Sequence, residues 1–199
     1  KMKNIGLTGG IGSGKSTVSR ILVNRGIPVY NSDYKAKLLM DSSIELKEMI
    51  INHFGKNSYL NNRLNKNYIS NIIFNDHLEL HKINSMVHPF VFNDFNKWKK
   101  NLISKYVIFE SAIIFETGSY KKNDFNILVI SDIKERIKRV VKRDGVNEKD
   151  VRIRINNQWS DDKKIPLSDY IFNNNISLND NKKNVIKMIK VIDEELNFL

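Results

Sequence analysis

The stretch Gly9-Gly10-Ile11-Gly12-Ser13-Gly14-Lys15-Ser16 limits what this chain can fold into more than any other. It is a complete G-x-x-x-x-G-K-[ST] pattern, and Thr17 follows it. The preceding Asn4-Ile5-Gly6-Leu7-Thr8 reads as a short buried strand, and residues 16–24 read as an amphipathic helix. Glycines between a strand and a helix permit a tight turn whose backbone N–H groups converge on one centre, and the helix N-terminus adds partial positive charge there. The pattern predicts a nucleoside-triphosphate site built from Gly10, Ile11, Gly12, Ser13, Gly14, Lys15, Ser16 and Thr17. Lys15 is expected against the β- and γ-phosphates, and the Ser16 hydroxyl on Mg²⁺.

The rest of the chain alternates in the way such a loop requires. Gly26-Ile27-Pro28-Val29-Tyr30-Asn31 gives a turn and a second short strand, with Asp33 just beyond it. Ligands of open α/β sheets bind at the C-terminal ends of the strands, so Asp33 has two readings. It accepts a proton from an attacking hydroxyl, or it N-caps a helix starting at Tyr34. Tyr106-Val107-Ile108-Phe109-Glu110 and Asn126-Ile127-Leu128-Val129-Ile130 are further buried strands, and Ser131-Asp132 caps a helix from Ile133. Either Glu110 or Glu116 is suited to act through Mg²⁺-bound water. Residues 168–172 read as a last strand and residues 184–196 as a terminal helix. The expected fold is a doubly wound parallel sheet of about five strands flanked by helices, the P-loop NTPase fold.

Residues 36–105 switch to a polar helical pattern. Ile44, Leu46, Met49, Ile50 and Phe54 form one apolar stripe, and Tyr68, Ile69, Ile72, Ile73 and Phe74 form a second. Phe54-Gly55 closes the first helix and Asn61-Asn62 marks a turn. Val87-His88-Pro89 is expected to interrupt the helical pattern, with His88 at a helix start. This segment is read as a helical substrate-binding cap inserted into a single kinase domain of 199 residues, whose core comprises 1–35, 106–138 and 166–199.

Five of the eight arginines, Arg136, Arg139, Arg143, Arg152 and Arg154, fall within 19 positions of a chain that otherwise uses lysine, 25 to 8. Guanidinium forks match phosphate oxygens, so Arg139, Arg143 and Arg154 are read as part of a lid at about 139–165. Arg136 and Arg152 fit a solvated helix with i,i+4 pairs better. The net charge of +11 accompanies 27 asparagines as well as the lysine excess, a bias of the whole chain rather than a nucleic-acid patch. With 41% hydrophobic residues and no apolar run near the ~20 that span a bilayer, no membrane span is expected. No signal region precedes the first strand, which predicts a cytosolic or organelle-interior, that is cytoplasmic, location. The lack of cysteine excludes disulfides and thiolate metal sites, and 4 scattered histidines argue against zinc.

Together these residues resemble the dephospho-CoA kinase family. The similarity runs from Gly6 to Asn174. It begins with Gly-Leu-Thr-Gly-Gly-Ile-Gly-Ser-Gly-Lys-Ser-Thr-Val at positions 6 to 18 and continues through Asp33, Phe54-Gly55 and Val87-His88-Pro89. Ala112-Ile113-Ile114-Phe115-Glu116, Arg139-x-x-x-Arg143-Asp144-Gly145, Arg154-Ile155-x-x-Gln158 and Ser168-Asp169-x-Ile171-Phe172-x-Asn174 complete it. The resemblance implies transfer of the ATP γ-phosphate to the ribose 3′-hydroxyl of dephospho-CoA, with ATP and Mg²⁺ bound. It implies that Asp33 contacts the acceptor ribose as the base, and that His88, Ile113, Phe115 and Glu116 line the acceptor site. Arg139, Arg143 and Arg154 would belong to the lid, and Asn174 would lie near the adenine. The chain departs from the family's pattern at Asn31, where an aspartate is usual, at Ala112, where a proline is usual, and at Ile176, where a glycine is expected. Another P-loop kinase of a small alcohol is the alternative. A GTPase is excluded because no Asn-Lys-x-Asp segment occurs. No nucleic-acid, membrane or obligate protein partner is indicated.

Overall fold

The computed structural model describes residues 2–175 and 177–198. Ile176 and the side chain of Phe74, both singled out in the sequence, lie outside the described residues. In chain order the elements are β1 (Lys3–Thr8), α1 (Lys15–Val23), β2 (Val29–Asn31), α2 (Ser32–Ser42), α3 (Ile44–Phe54), β3 (Tyr59–Leu60), β4 (Arg63–Leu64), α4 (Lys66–Asn75) and α5 (His77–Lys100). They continue as β5 (Tyr106–Glu110), β6 (Phe125–Ile130), α6 (Ile133–Asp144), α7 (Glu148–Asn156), α8 (Asp161–Lys164), β7 (Tyr170–Asn173) and α9 (Leu178–Glu195). They form two compact units, one of Lys1–Asn31 with Ile103–Leu199, the other of Ser32–Leu102.

The first unit holds a five-stranded sheet in the order β2-β5-β1-β6-β7, every pair parallel. All five residues of β5 are buried, as a parallel strand covered on both faces demands. On one face Ile5, Leu7, Ile108, Ile127 and Val129 pack with Val18, Ile21 and Leu22 of α1 and Val185, Met188 and Ile192 of α9. The register matters for the chemistry. Leu7 pairs with Glu110, and Glu110 with Asn31, so β1, β5 and β2 end level where the glycine-rich loop leaves β1.

Several local expectations are corrected. The terminal helix begins at Leu178, six residues before the expected start, because Ser177 accepts a hydrogen bond from the Asp180 N–H (3.2 Å). That Ser-x-x-Asp box sits before a polar first turn, which hid the start. Asp132 occupies the cap position of α6 but makes no side-chain cap bond.

In the second unit, α5 runs unbroken through Pro89, so His88 lies inside a helix and not at its start. Proline removes one intrahelical donor, yet the buried stripe Ile83, Val87, Val91 and Phe95 spans the site at i+4 spacing and holds the helix together. On α3, Leu46, Ile50 and Phe54 are buried as expected, whereas Ile44 and Met49 are exposed. Asn61 and Asn62 both adopt left-handed backbone (φ 48° and 63°), a two-residue turn joining β3 to β4 in a hairpin the helical pattern did not suggest.

Burial, with Asp193 adding to it, pushes the Tyr106 phenol up to about 12. A raised folded-state pKa contributes stability that is complete below the unfolded value of about 10 and is lost as pH climbs toward the folded one. Tyr106 is 5% exposed, so its share of the alkaline loss is up to about 3 kcal/mol. Urea unfolding of Tyr106→Phe between about pH 9 and about pH 12 is expected to show a flatter decline than the parent. Identical slopes would remove Tyr106 from the alkaline transition.

Candidate active site

In the loop between β1 and α1 each carbonyl from Gly9 to Gly14 is held by a specific donor. Lys15 Nζ donates to the Gly9 carbonyl (2.6 Å), and the Ser13 N–H to that of Gly10 (3.1 Å). Arg136 donates Nε–H to the Ile11 carbonyl (2.9 Å), and Arg139 Nη1 reaches those of Gly12 and Ser13 (3.4 Å each). The Asn174 amide also donates to the Ser13 carbonyl (2.7 Å), and the Thr17 N–H to that of Gly14 (2.9 Å). Carbonyls occupied in this way are kept from turning onto a bound anion, as an anion-binding nest requires. Gly12 (φ 77°) and Gly14 (φ 95°) hold left-handed backbone. A Cβ at Gly14 would also run into the Asn174 side chain, so both conformation and contact require glycine.

The site's chemistry suits a triphosphate with Mg²⁺. Thr8 Oγ1 and Ser13 Oγ are buried beside the loop with no partner among the described residues, as suits donors facing a polyanion. Glu110, at the end of β5, is buried and accepts from the Ser19 hydroxyl (2.8 Å) and the Asn31 amide (3.1 Å). Ser16 sits exposed in the first turn of α1. Among the described residues no group of three acidic, histidine or cysteine side chains could cage a metal. One hydroxyl and one carboxylate fit Mg²⁺, which is commonly held by few protein oxygens together with substrate phosphates.

The arginine-rich segment divides in a way its periodicity hid. Arg136 was read as a solvated helical residue, but it is 6% exposed and bonded to the loop. Burial pulls its guanidinium below the ordinary pKa, and Asp161, 3.4 Å from Nη1, pushes it back. Arg139 faces the same way, adding Nη2 to the Asn174 carbonyl (2.9 Å). Arg143 forks onto Asp144 (2.6 and 2.9 Å), which raises its pKa, and Arg154 reaches the same carboxylate (3.3 Å). Arg152 makes the expected i,i+4 pair with Glu148 (2.7 Å).

Ile113, Phe115 and Glu116 lie in the turn after β5, where Phe115 is buried. Glu116 Oε1 accepts from the Trp159 N–H (3.2 Å) and pairs with Lys164 Nζ (2.7 Å), a lysine buried completely. Asn174 is buried behind Ser13, and its Oδ1 accepts from the Asn181 amide (2.7 Å). In the second unit, Asp33 lies exposed in the first turn of α2, which begins at Ser32 and not at Tyr34. His88 is half-buried on α5, and α2 packs along that helix, with Lys35 and Asp94 bridging them (3.8 Å). Sequence reasoning missed Ser19, Asn181 and Lys164. Ser19 follows Ser16 by three and so shares its helix face, a usable signal; Lys164 carries none, since its partner Glu116 is remote in the chain, and Asn181 lies seven residues past Asn174 on no shared element.

The family model described as dephospho-CoA kinase matches residues 3–180. A dephospho-CoA kinase of Fusobacterium nucleatum is 35% identical over 190 residues, covering 94% of this chain and 97% of the relative. A solved Thermus thermophilus structure superposes with a TM-score of 0.84 at 26% identity, covering 96% of this chain and 97% of the other. The structure of a Campylobacter jejuni dephospho-CoA kinase shares the fold, with a TM-score of 0.67 at 23% identity over 98% of both chains.

Proposed function

The chain belongs to the dephospho-CoA kinase family, and from that premise we infer that it transfers the γ-phosphate of ATP to the ribose 3′-hydroxyl of dephospho-CoA. The observation that carries the reading is the loop at residues 9–16, with each carbonyl from Gly9 to Gly14 held by a donor and Lys15 at its end. Such a loop cradles the phosphates through its N–H groups, and Lys15 neutralises the charge that shifts as the γ-phosphoryl group moves.

The residues divide the work as follows. Ser16 would hold Mg²⁺ directly, and Glu110 would do so through water. Held there, Mg²⁺ would supply positive charge against the phosphates. Of the two acids left open by the sequence, Glu110 is favoured. It ends a strand level with β1, whereas Glu116 is taken by Lys164. Asp33 follows Asn31 by two residues, and Asn31 ends level with Glu110, which supports Asp33 as the base toward the 3′-hydroxyl. Residues 36–105, with His88, are proposed as the cap over the acceptor, and Ile113, Phe115 and Glu116 as a further acceptor contact. About 139–165 is proposed as the lid, with Arg139, Arg143 and Arg154 countering phosphate charge and excluding water, and Asn174 is assigned to the nucleotide side. Asn31 donates to Glu110, so the departure from aspartate spares that carboxylate a like-charged neighbour.

The test is ADP release with ATP and Mg²⁺ in the presence of dephospho-CoA, adenosine, AMP, shikimate or gluconate, with the product identified by mass spectrometry. Stimulation by dephospho-CoA with a 3′-phosphorylated product is expected. Stimulation by another acceptor alone would keep the kinase and discard the substrate.

A further inference from the structure

The phosphate loop is gripped at one residue from two directions. The Ile11 N–H donates to Gln158 Oε1 (2.7 Å), and the Ile11 carbonyl accepts from Arg136 Nε (2.9 Å). The two jaws come from separate segments, Arg136 from α6 and Gln158 from the turn after α7. Asp161, three residues beyond Gln158, closes the ring by pairing with Arg136 Nη1 (3.4 Å). The far side of that short segment is anchored to Glu116, by the Trp159 N–H (3.2 Å) and by the buried Lys164 (2.7 Å). Arg136 also packs directly on the glycines. A Cβ at Gly10 would strike its guanidinium, and one at Gly12 would lie 2.5 Å from its carbonyl oxygen.

We propose that Arg136 and Gln158 clamp the two successive peptide planes that flank Ile11 and thereby set the phosphate loop in its ATP-binding shape, making both positioning residues for the nucleotide. The inference rests on the kinase reading above and adds a role for side chains that touch no phosphate. Its physical basis is the direction of a peptide plane. A loop carbonyl that rotates toward the phosphates repels them; the Arg136 bond fixes the Ile11–Gly12 peptide plane and the Gln158 bond the Gly10–Ile11 plane, so neither plane flanking Ile11 turns without breaking one of them. The guanidinium supplies charge-assisted strength, and its burial means that no water replaces the bond when it is lost. The specific demand on arginine is planarity, because Nε holds the carbonyl while Nη1 holds Asp161. Lysine's compact ammonium lacks the fork that reaches both positions in one plane.

The experiment compares Arg136→Lys and Gln158→Leu with the parent enzyme. It measures ATP dissociation constants by calorimetry, KM for ATP and for dephospho-CoA, and Tm without nucleotide. Each variant is expected to weaken ATP binding and raise KM for ATP by about tenfold, with KM for dephospho-CoA moving less than about twofold. ATP affinity unchanged in Gln158→Leu, or both KM values rising together, would overturn the clamp. A fall in Tm without any change in ATP affinity would also overturn it, because it describes a structural bond alone. If Arg136→Lys fails to fold, Gln158→Leu decides, since Gln158 is uncharged and only half-buried. A parent enzyme that binds ATP but does not phosphorylate dephospho-CoA would refute the substrate assignment, and the calorimetry would still test the clamp.

Discussion

Asp33→Asn lowers kcat for dephospho-CoA phosphorylation by about 10²- to 10⁴-fold, the expected loss when a positioned general base is removed. The ATP dissociation constant is expected to move less than about twofold, because the triphosphate is held by the loop at residues 9–16. Asparagine keeps the size and one acceptor oxygen of aspartate, so a substrate hydroxyl can still be oriented by it. It cannot accept the proton as the 3′-oxygen bonds to phosphorus. Asp33 is exposed, and its place in the first turn of α2 adds up to about 1 kcal/mol through the helix dipole. A kcat loss with unaltered Tm therefore reports chemistry and not damage. Steady-state kinetics at saturating ATP reads the effect directly, and a kcat equal to that of the parent would take the base role from Asp33.

Asp33 also shows how far the sequence carried. Its position at the end of a strand was legible because strand, turn and acid are adjacent in the chain. The phosphate loop was legible for the same reason: eight consecutive residues hold the glycines, the lysine and the serine hydroxyl. The parallel sheet followed from short apolar runs separated by helical patterns, and β1, β5 and β6 lie within one residue of where those runs stood. What supports the loop was not legible. Arg136 and Ile11 are 125 residues apart, and nothing local distinguishes a buried arginine from a solvated one on an amphipathic helix. Lys164 is the sharper case. A lysine in Asp-Asp-Lys-Lys reads as surface, and only the fold brings Glu116 to within 2.7 Å of its ammonium.

The second unit failed in the opposite sense, through local rules that tertiary packing overrode. Pro89 signals a helix boundary, and α5 continues through it because four buried side chains at i+4 spacing outweigh one lost backbone donor. Asn61-Asn62 was read correctly as a turn, but the strands it joins are two residues each, too short to alternate visibly. In both places the residue type was informative and the length of the element was not.

Lys15→Met is expected to reduce kcat/KM for ATP by at least about 10²-fold, the cost of removing one preorganised cationic donor from a developing charge. Methionine matches the lysine stem in length and apolar area, so the loss isolates the ammonium. A structural share must be separated from a catalytic one, because Lys15 Nζ also donates to the Gly9 carbonyl at 2.6 Å. A charge-assisted bond of that kind is worth about 1.5–3 kcal/mol, roughly a 10- to 150-fold change in an equilibrium, so kinetics alone does not separate the two shares. A purely structural lysine would lower the Tm of the nucleotide-free protein and leave intact the rise in Tm that ATP confers. The phosphate role predicts the reverse, a Tm close to the parent's and loss of most of the rise in Tm that ATP with Mg²⁺ confers. Both readouts come from one set of thermal scans with and without nucleotide, beside the kinetics. If Lys15→Met kept its ATP-dependent rise in Tm and lost less than about tenfold in kcat/KM, the charge would be acting within the protein and not on phosphate, and the loop would need another cation to oppose the γ-phosphate. Arg139 lies nearest to that duty, since its guanidinium already reaches the Gly12 and Ser13 carbonyls, and Lys15→Met/Arg139→Met would then show the loss that Lys15→Met had not.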